Sequence, residues 1–439
     1  MVRKAEIRGS AVEMPVAPRT QTPAPPGPAR SESPRAPRQS WLDALRGLAA
    51  LVVVFEHSLD ALLPEIRGTV SPWFDFGQYG VLLFFLISGY VVPVSLERRG
   101  SVRGFWITRF FRIYPLWAVA AVIGTAFAVA GVYSVLPGQT ADRPWTSLLA
   151  HLTMLQDLLQ VPSVVNVFWT LSYEMAFYLL VTALFVFGGR RAGAGTSLSF
   201  AACGLVAGAL VPAGLLSRYM GGTVLVGVVT VAVLGGIAAV VSADREARAR
   251  GAAVIAVLAL VLLTFNSRVG AWQSLVILAT MFGGTAIYRL QHCSAPARTR
   301  WMIALVPVVS VAAAVLLGPG WGMTEAAEQA FKWSWSTAVV GAWLTFVAGL
   351  ALRHRVVSPV LVWLGLVSYS VYLLHPLILQ VVRRLTMDPS QITLPGRLAW
   401  EAALFAAVIV CAALGHRFVE KPAQRTGRRL ANSAAREGL

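Results

Sequence analysis

From Trp41 to Phe418 the chain repeats one pattern: an apolar stretch of about twenty residues, then a short polar and often basic segment. A helix rises ~1.5 Å per residue, so ~20 apolar residues cross a ~30 Å hydrocarbon core. Stretches of this kind recur near 42–63, 78–97, 112–133, 168–187, 198–216, 222–241, 251–265, 271–289, 301–318, 333–352, 360–382 and 397–418. They predict an all-α, polytopic transmembrane bundle of about ten to twelve spans. The 251–265 stretch is shorter than the rest, so the count turns on 251–289. Residues 144–160 carry apolar positions at helical spacing with His151, Gln156 and Asp157 between them. That pattern predicts an interfacial helix in an outer loop. Residues 1–40 are rich in Pro, Ala, Ser and Arg and hold no apolar block. They predict a disordered basic tail without the apolar core of a signal peptide. The expected organisation is a tail over 1–40, a membrane domain over 41–422 and a C-terminal tail over 423–439.

Composition agrees with a membrane. Hydrophobic residues make up 56% of the chain and charged residues only 13%, about half the share of a soluble domain. The formal net charge of +17 is compatible with a nucleic-acid partner, but the apolar stretches make the bilayer the better explanation. Charge also predicts orientation. With the N-terminus in the cytoplasm, 29 of the 37 Lys and Arg residues fall on inner segments and 8 on outer ones. This is the positive-inside asymmetry, and it predicts both termini on the cytoplasmic side. Cys203, Cys293 and Cys411 have no metal or disulfide spacing and read as inert packing residues.

Ionisable residues at membrane depth are costly and usually functional. Arg46 and His57 are eleven residues apart on the first span, which puts them on one face about 16 Å apart. Glu174 lies early in the fourth span, in Phe168-Trp-Thr-Leu-Ser-Tyr-Glu174. Ser368, Tyr372 and His375 share one face of the eleventh. Counting residues from the span ends places His57, Glu174 and His375 at similar depths. Three titratable groups at one level suit proton handling, with an imidazole as general base; interhelical hydrogen bonding is the plainer alternative. Glu56 either orients His57 or faces another helix. On the inner side Arg109 and Arg112 are one turn apart and level with Arg46. Together they predict a basic mouth, since arginine holds phosphate in a bidentate fork; ordinary inner-side charge accounts for Arg98, Arg99 and Arg103. His151, His292, His354 and His416 show no metal-ligand spacing. Gly235-Gly236 and Gly283-Gly284 fit close helix packing.

These residues fall into ordered motifs. Leu42-Asp-Ala-Leu-Arg46-Gly47 with His57 beyond it resembles the opening signature of the acyltransferase-3 family of integral-membrane O-acyltransferases. Phe84-Phe-Leu-Ile-Ser-Gly-Tyr90 is similar to its second-helix signature, and Arg109-x-x-Arg112-Ile-Tyr-Pro115 to its Arg-x-x-Arg motif. Trp169-Thr-Leu-Ser-Tyr-Glu174, Ser368-Tyr369 through Tyr372-x-x-His375, and Glu420-Lys421-Pro422 resemble the remaining three. All six occur in family order from residue 42 to 422.

The resemblance implies acyl transfer, acetyl by default, from cytoplasmic acyl-CoA to a hydroxyl of a carbohydrate-type acceptor. Surface polysaccharides, lipid-linked sugars and macrolide sugars are acceptors known in the family. It implies His57 as the catalytic base and Arg46, Arg109 and Arg112 on the acyl-CoA phosphates. Glu174 is expected to orient or charge-balance His57. Tyr369, Tyr372 and His375 are expected on the acceptor side or as oxyanion donors. Acyl-CoA is then a co-substrate, and direct transfer needs no permanently bound cofactor and no metal. A polytopic transporter and a non-catalytic relative are the competing readings; against the former, the chain shows none of the internal repeats typical of transporters.

Overall fold

The computed structural model describes residues 39–132, 142–189, 193–318 and 323–437. Residues 1–38 of the expected tail, with Arg190 and Arg191, lie outside them. The described residues are helical throughout, without strands. Each of the twelve apolar stretches forms a helix: α1 (Ser40–Leu62), α2 (Phe76–Arg99), α3 (Val102–Val129), α4 (Trp169–Val186), α5 (Ala194–Leu210) and α6 (Gly222–Val240). They continue with α7 (Arg245–Phe265), α8 (Ala271–His292), α9 (Arg298–Leu317), α10 (Glu325–Ala351), α11 (Pro359–Thr386) and α12 (Leu394–Gly415). Ten of the described helices are long and apolar enough to cross a membrane. The two short of that measure are α1, which carries Asp43, Arg46, Glu56 and Asp60, and α5, which has 17 residues. On the outer helices Val122, Leu210, Val231, Leu234 and Leu316 are exposed, as side chains facing hydrocarbon should be.

Local signals place the helix starts earlier than hydropathy does. Helix α3 begins at Val102 rather than near 112, because Ser101 Oγ accepts from Gly104 N–H at 3.1 Å and Gly100, at φ +68°, ends α2. Both Arg109 and Arg112 are therefore inside the helix. Helix α7 begins at Arg245 because Asp244 accepts from the N–H groups of Glu246 and Ala247, which gives the short 251–265 stretch a full span. The helix expected over 144–160 is shorter and covers only Pro144–Leu152. The chain then turns through Met154 and Gln160, both at positive φ. Asp157 is buried in that turn, 3.6 Å from Arg268. Burial pushes its carboxyl up to about 6, against the pull of the arginine.

The expected C-terminal tail is structured. Helix α12 runs through a π turn at His416–Glu420 into a further helix, Lys421–Glu437, which packs on α3 with Gly427 against Phe111. Glu420 is buried beneath the turn, where Ser370 Oγ donates to it. The cysteines need a correction: Cys203 and Cys293 are exposed and Cys411 is half-buried. Cys203 lies on α5 among lipid-facing residues, and Cys293 caps α8.

Helix α8 is the most deeply buried and packs against α2, α5, α9 and α7. It meets α2 backbone to backbone. A Cβ on Gly284 would be 2.1 Å from Leu86 O, and one on Gly89 1.7 Å from Met281 O. The Gly283-Gly284 pair thus serves close packing. Beside them α1 lies along α11 and α2. Its contact with α11 is equally tight, with Gly365 against the Asp43 carbonyl.

Candidate functional site

Helices α1, α2, α3, α4 and α11 surround a cleft. Arg46 enters it from α1, Arg109 and Arg112 from α3, Glu174 from α4, and Tyr369 and Tyr372 from α11. Phe84, Phe85 and Ser88 of α2 form the remaining wall. Six of the eight residues singled out by the sequence thus share one cavity. His57 and His375 are not among its lining residues.

Arg109 and Arg46 are held in place before any ligand arrives. Arg109 stacks its guanidinium over the rings of Phe105 and Tyr178, at 5.2 and 5.3 Å from their centroids. Its Nε is buried without a hydrogen-bond partner. Arg46 Nη1 stands 3.5 Å from Asp43 Oδ1, one turn back on α1. Three guanidiniums on two helices facing one cavity suit a polyanion with several phosphate oxygens.

Glu174 belongs to this arginine end. It lines the cleft beside the arginines, and its carboxylate accepts from Tyr178 Oη. No hydrogen bond or ion pair joins it to His57 among the described residues. The expectation that Glu174 orients the His57 imidazole is therefore not met by this geometry. Similar depth along two helix axes does not make two side chains neighbours, because each helix also has a rotation.

His57 has a different partner. The ring centroids of His57 and His375 are 5.1 Å apart, tilted by 57°. His57 Nδ1 lies 2.9 Å from Val53 O and His375 Nδ1 lies 3.1 Å from Val371 O. A carbonyl oxygen only accepts, so each Nδ1 carries the proton and each Nε2 keeps its lone pair. His375 is 1% exposed and its Nε2 has no partner; His57 is half-buried.

The tyrosines connect the two ends. Tyr369 Oη donates to Ile113 O at 2.8 Å, tying α11 to α3. Tyr372 Oη meets Thr170 Oγ1 at 3.0 Å and Val167 O at 3.3 Å, and its ring lies 6.0 Å from that of His375. Both hydroxyls are thus committed to wall contacts. The oxyanion-donor role expected for them is not available in this arrangement.

Tyr178 and Asp60 escaped the sequence reading, and the structure places Glu56 and His151, which that reading weighed. Tyr178 follows Glu174 at i+4, a spacing that puts both on one face. Glu56 turns away from His57: Arg67 Nη1 reaches its Oε1 at 3.0 Å, while its Oε2 is buried and unpartnered. Asp60 bridges from Arg67 to Arg383 on α11, at 3.6 and 2.7 Å. His151, set aside as bland, is a satisfied core residue: Nδ1 meets Ser147 O and Nε2 accepts from Val164 N–H.

A family model described as an acyltransferase domain matches residues 39–416. Acyltransferase MdmB of Streptomyces mycarofaciens is 33% identical over 153 residues, which is 33% of this chain and 39% of that protein. Nodulation protein 10 of Rhizobium leguminosarum bv. viciae is 34% identical over 173 residues, 35% of this chain and 46% of that protein. The chain thus matches less than half the length of either relative. No solved structure matches it significantly.

Proposed function

Because the chain belongs to the acyltransferase domain family, we propose that it is a multi-pass enzyme of the cell membrane that moves an acyl group, acetyl in the first instance, from acyl-CoA to a hydroxyl. The acceptor is of carbohydrate type: a surface polysaccharide, a lipid-linked sugar or a macrolide sugar. Both termini lie in the cytoplasm on this reading, following the positive-inside distribution of arginine. The observation that carries it is the convergence of Arg46, Arg109 and Arg112 on one cleft whose far wall leads, through Tyr372, to the histidine pair.

In this mechanism the three arginines hold the phosphates of acyl-CoA at the inner end. The thioester reaches along the α11 wall toward His57. Nε2 of His57 takes the proton of the acceptor hydroxyl as the oxygen attacks the thioester carbonyl. The C–S bond then breaks, and the departing sulfur receives that proton from His57. Fixing both reactants between packed helices supplies the orientation that such a transfer needs.

Purified protein in detergent, given acetyl-CoA and candidate acceptors, should release CoA only when an acceptor is present. His57→Ala should abolish that release at unchanged melting temperature. Turnover by His57→Ala removes His57 from the mechanism. Vesicles that move a solute without thioester cleavage would favour the transporter reading instead.

A further inference from the structure

We propose that Ser88 of α2 is a further binding residue for acyl-CoA, its hydroxyl donating to an oxygen of the diphosphate that Arg46, Arg109 and Arg112 hold. The inference deepens the acyl-transfer reading above and rests on it. It starts from the hydroxyls that line the cleft, on Ser88, Thr170, Ser368, Tyr369 and Tyr372. All but that of Ser88 are committed to protein partners. Ser368 Oγ donates to Gly365 O at 2.9 Å, and Thr170 Oγ1 to Val167 O at 3.0 Å. Tyr369 is tied to Ile113, and Tyr372 to Thr170 and Val167. Ser88 bonds to nothing among the described residues, although it lines the same cleft. Inside a helix a serine or threonine hydroxyl can turn back to the carbonyl one turn earlier, as Thr280 does to Val276 O and Ser310 to Val306 O. Ser88 makes no such bond to its own backbone and presents its hydroxyl to the cavity.

Contacts between α1 and α2 fix the level of this hydroxyl. The ring of Tyr90 meets that of Trp41, with centroids 5.7 Å apart. A Cβ on Gly80 would meet Ala49 O and the Val53 side chain, and one on Gly77 would meet the Glu56 side chain. The two helices therefore run antiparallel, and Ser88 stands level with the turn of α1 from Asp43 to Arg46. The same register puts His57 about 14 residues of helix, or roughly 21 Å, further along the bundle. Ser88 thus belongs to the arginine end and is too far from His57 to donate to the thioester carbonyl. Its mount is rigid, because a Cβ on the adjacent Gly89 would fall 1.7 Å from Met281 O, so α2 is seated backbone to backbone on α8. Arg46 comes from α1, and Arg109 and Arg112 from α3. Ser88 adds a donor from a third helix without adding charge, and its short side chain has little rotamer freedom to lose on binding.

The test reads binding, so it needs no acceptor. Purified protein in detergent is titrated by calorimetry with CoA and with adenosine diphosphate, which carries the diphosphate without the pantetheine arm. Ser88→Ala should weaken both by at least about tenfold, the worth of one hydrogen bond to a charged group. The melting temperature of the empty protein should hold, because the hydroxyl holds nothing there and alanine is the better helix former. Equal affinity of wild type and Ser88→Ala for CoA overturns the proposal. Weaker binding that comes with a lower melting temperature overturns it too, since that is what a structural role predicts. A loss confined to CoA, or a wild type that binds CoA and not adenosine diphosphate, moves the hydroxyl to the pantetheine arm and overturns the phosphate assignment. Each of these results leaves the acyl-transfer reading standing. A wild type that binds neither CoA nor adenosine diphosphate refutes the acyl-CoA reading itself.

Discussion

The contact between α1 and α11 sets the width of the arginine end, and one methyl group tests it. A Cβ built on Gly365 falls 1.9 Å from Asp43 O and 2.4 Å from its carbonyl carbon. Real Cβ contacts do not go below 3.0 Å, so Gly365→Ala must part the two helices by about 1 Å. The obstacle is backbone on a packed helix, which has no rotamer to yield. Overpacking of this kind costs about 1–3 kcal/mol. The displacement arises where it matters, because Arg46 is three residues beyond Asp43, and Ser368 and Tyr369 are the next turn of α11. A misplacement of about 1 Å is worth roughly 100-fold in rate. Gly365→Ala should therefore lose about two orders of magnitude in kcat/KM for acyl-CoA, measured by CoA release in detergent, and melt at lower temperature. Gly47→Ala is the graded control. Its Cβ would stand 2.9 Å from Leu364 Cβ, which asks for only a few tenths of an ångström, and its loss should be much smaller. Wild-type kcat/KM in Gly365→Ala, or a larger loss in Gly47→Ala, would refute the claim that this contact sets the cleft.

Two further predictions address charge. Arg109→Ala and Arg112→Ala each remove charge-assisted hydrogen bonds worth about 1.5–3 kcal/mol, so KM for acyl-CoA should rise roughly 10- to 100-fold with acceptor KM unchanged. An unchanged donor KM would return these arginines to topology. Asp157 gives a pH dependence: its carboxyl, near 6 against an ordinary 3.8, holds its proton more tightly in the folded protein than in the unfolded one. Its contribution is therefore full below pH 3.8, is lost as pH rises to 6, and amounts to as much as about 3 kcal/mol. Thermal melts of Asp157→Asn should lose that slope between pH 4 and 6; an identical slope assigns it elsewhere.

Hydropathy located all twelve long helices, because spanning length and apolar content are properties of the sequence alone. The ends were harder. Arg103, Arg109 and Arg112 interrupt the apolar run of α3 and hid the ten helical residues that Ser101 starts. In the same way the polar stretch after Pro422 concealed a helix whose stability comes from packing on α3. Within the site, neither faces nor neighbours follow from spacing alone: Arg46 and Tyr372 line the cleft, whereas His57 and His375, expected on the same faces, do not. Which helix lies opposite depends on contacts such as Gly365 on Asp43, which carry no signal in a single chain of residues. That is why depth along the helices points from His57 to α4, whereas the ring packed on His57 comes from α11.

The place of Glu174 follows from the same geometry, and it reverses the expected effect of removing its charge. Arg46, Arg109 and Arg112 share a cleft at membrane depth with Glu174, and Asp43 is one turn from Arg46. Three positive charges against two leave an excess of one, enough to attract an anion without leaving the empty cleft strongly self-repelling. A carboxylate serving His57 as a triad acid does would make Glu174→Gln lower kcat by orders of magnitude with KM untouched. A carboxylate balancing arginines predicts something else. Glu174→Gln leaves one more uncompensated cation, so the empty protein should melt lower, while the phosphates of acyl-CoA should bind more tightly and kcat should stay within a few-fold. The amide keeps an oxygen for the Tyr178 hydroxyl, so packing is little changed. Donor affinity and melting temperature moving in opposite directions is a signature that neither a triad partner nor a general loss of structure produces. A large fall in kcat at constant donor KM would put Glu174 back beside the chemistry, in a conformation of α4 other than this one.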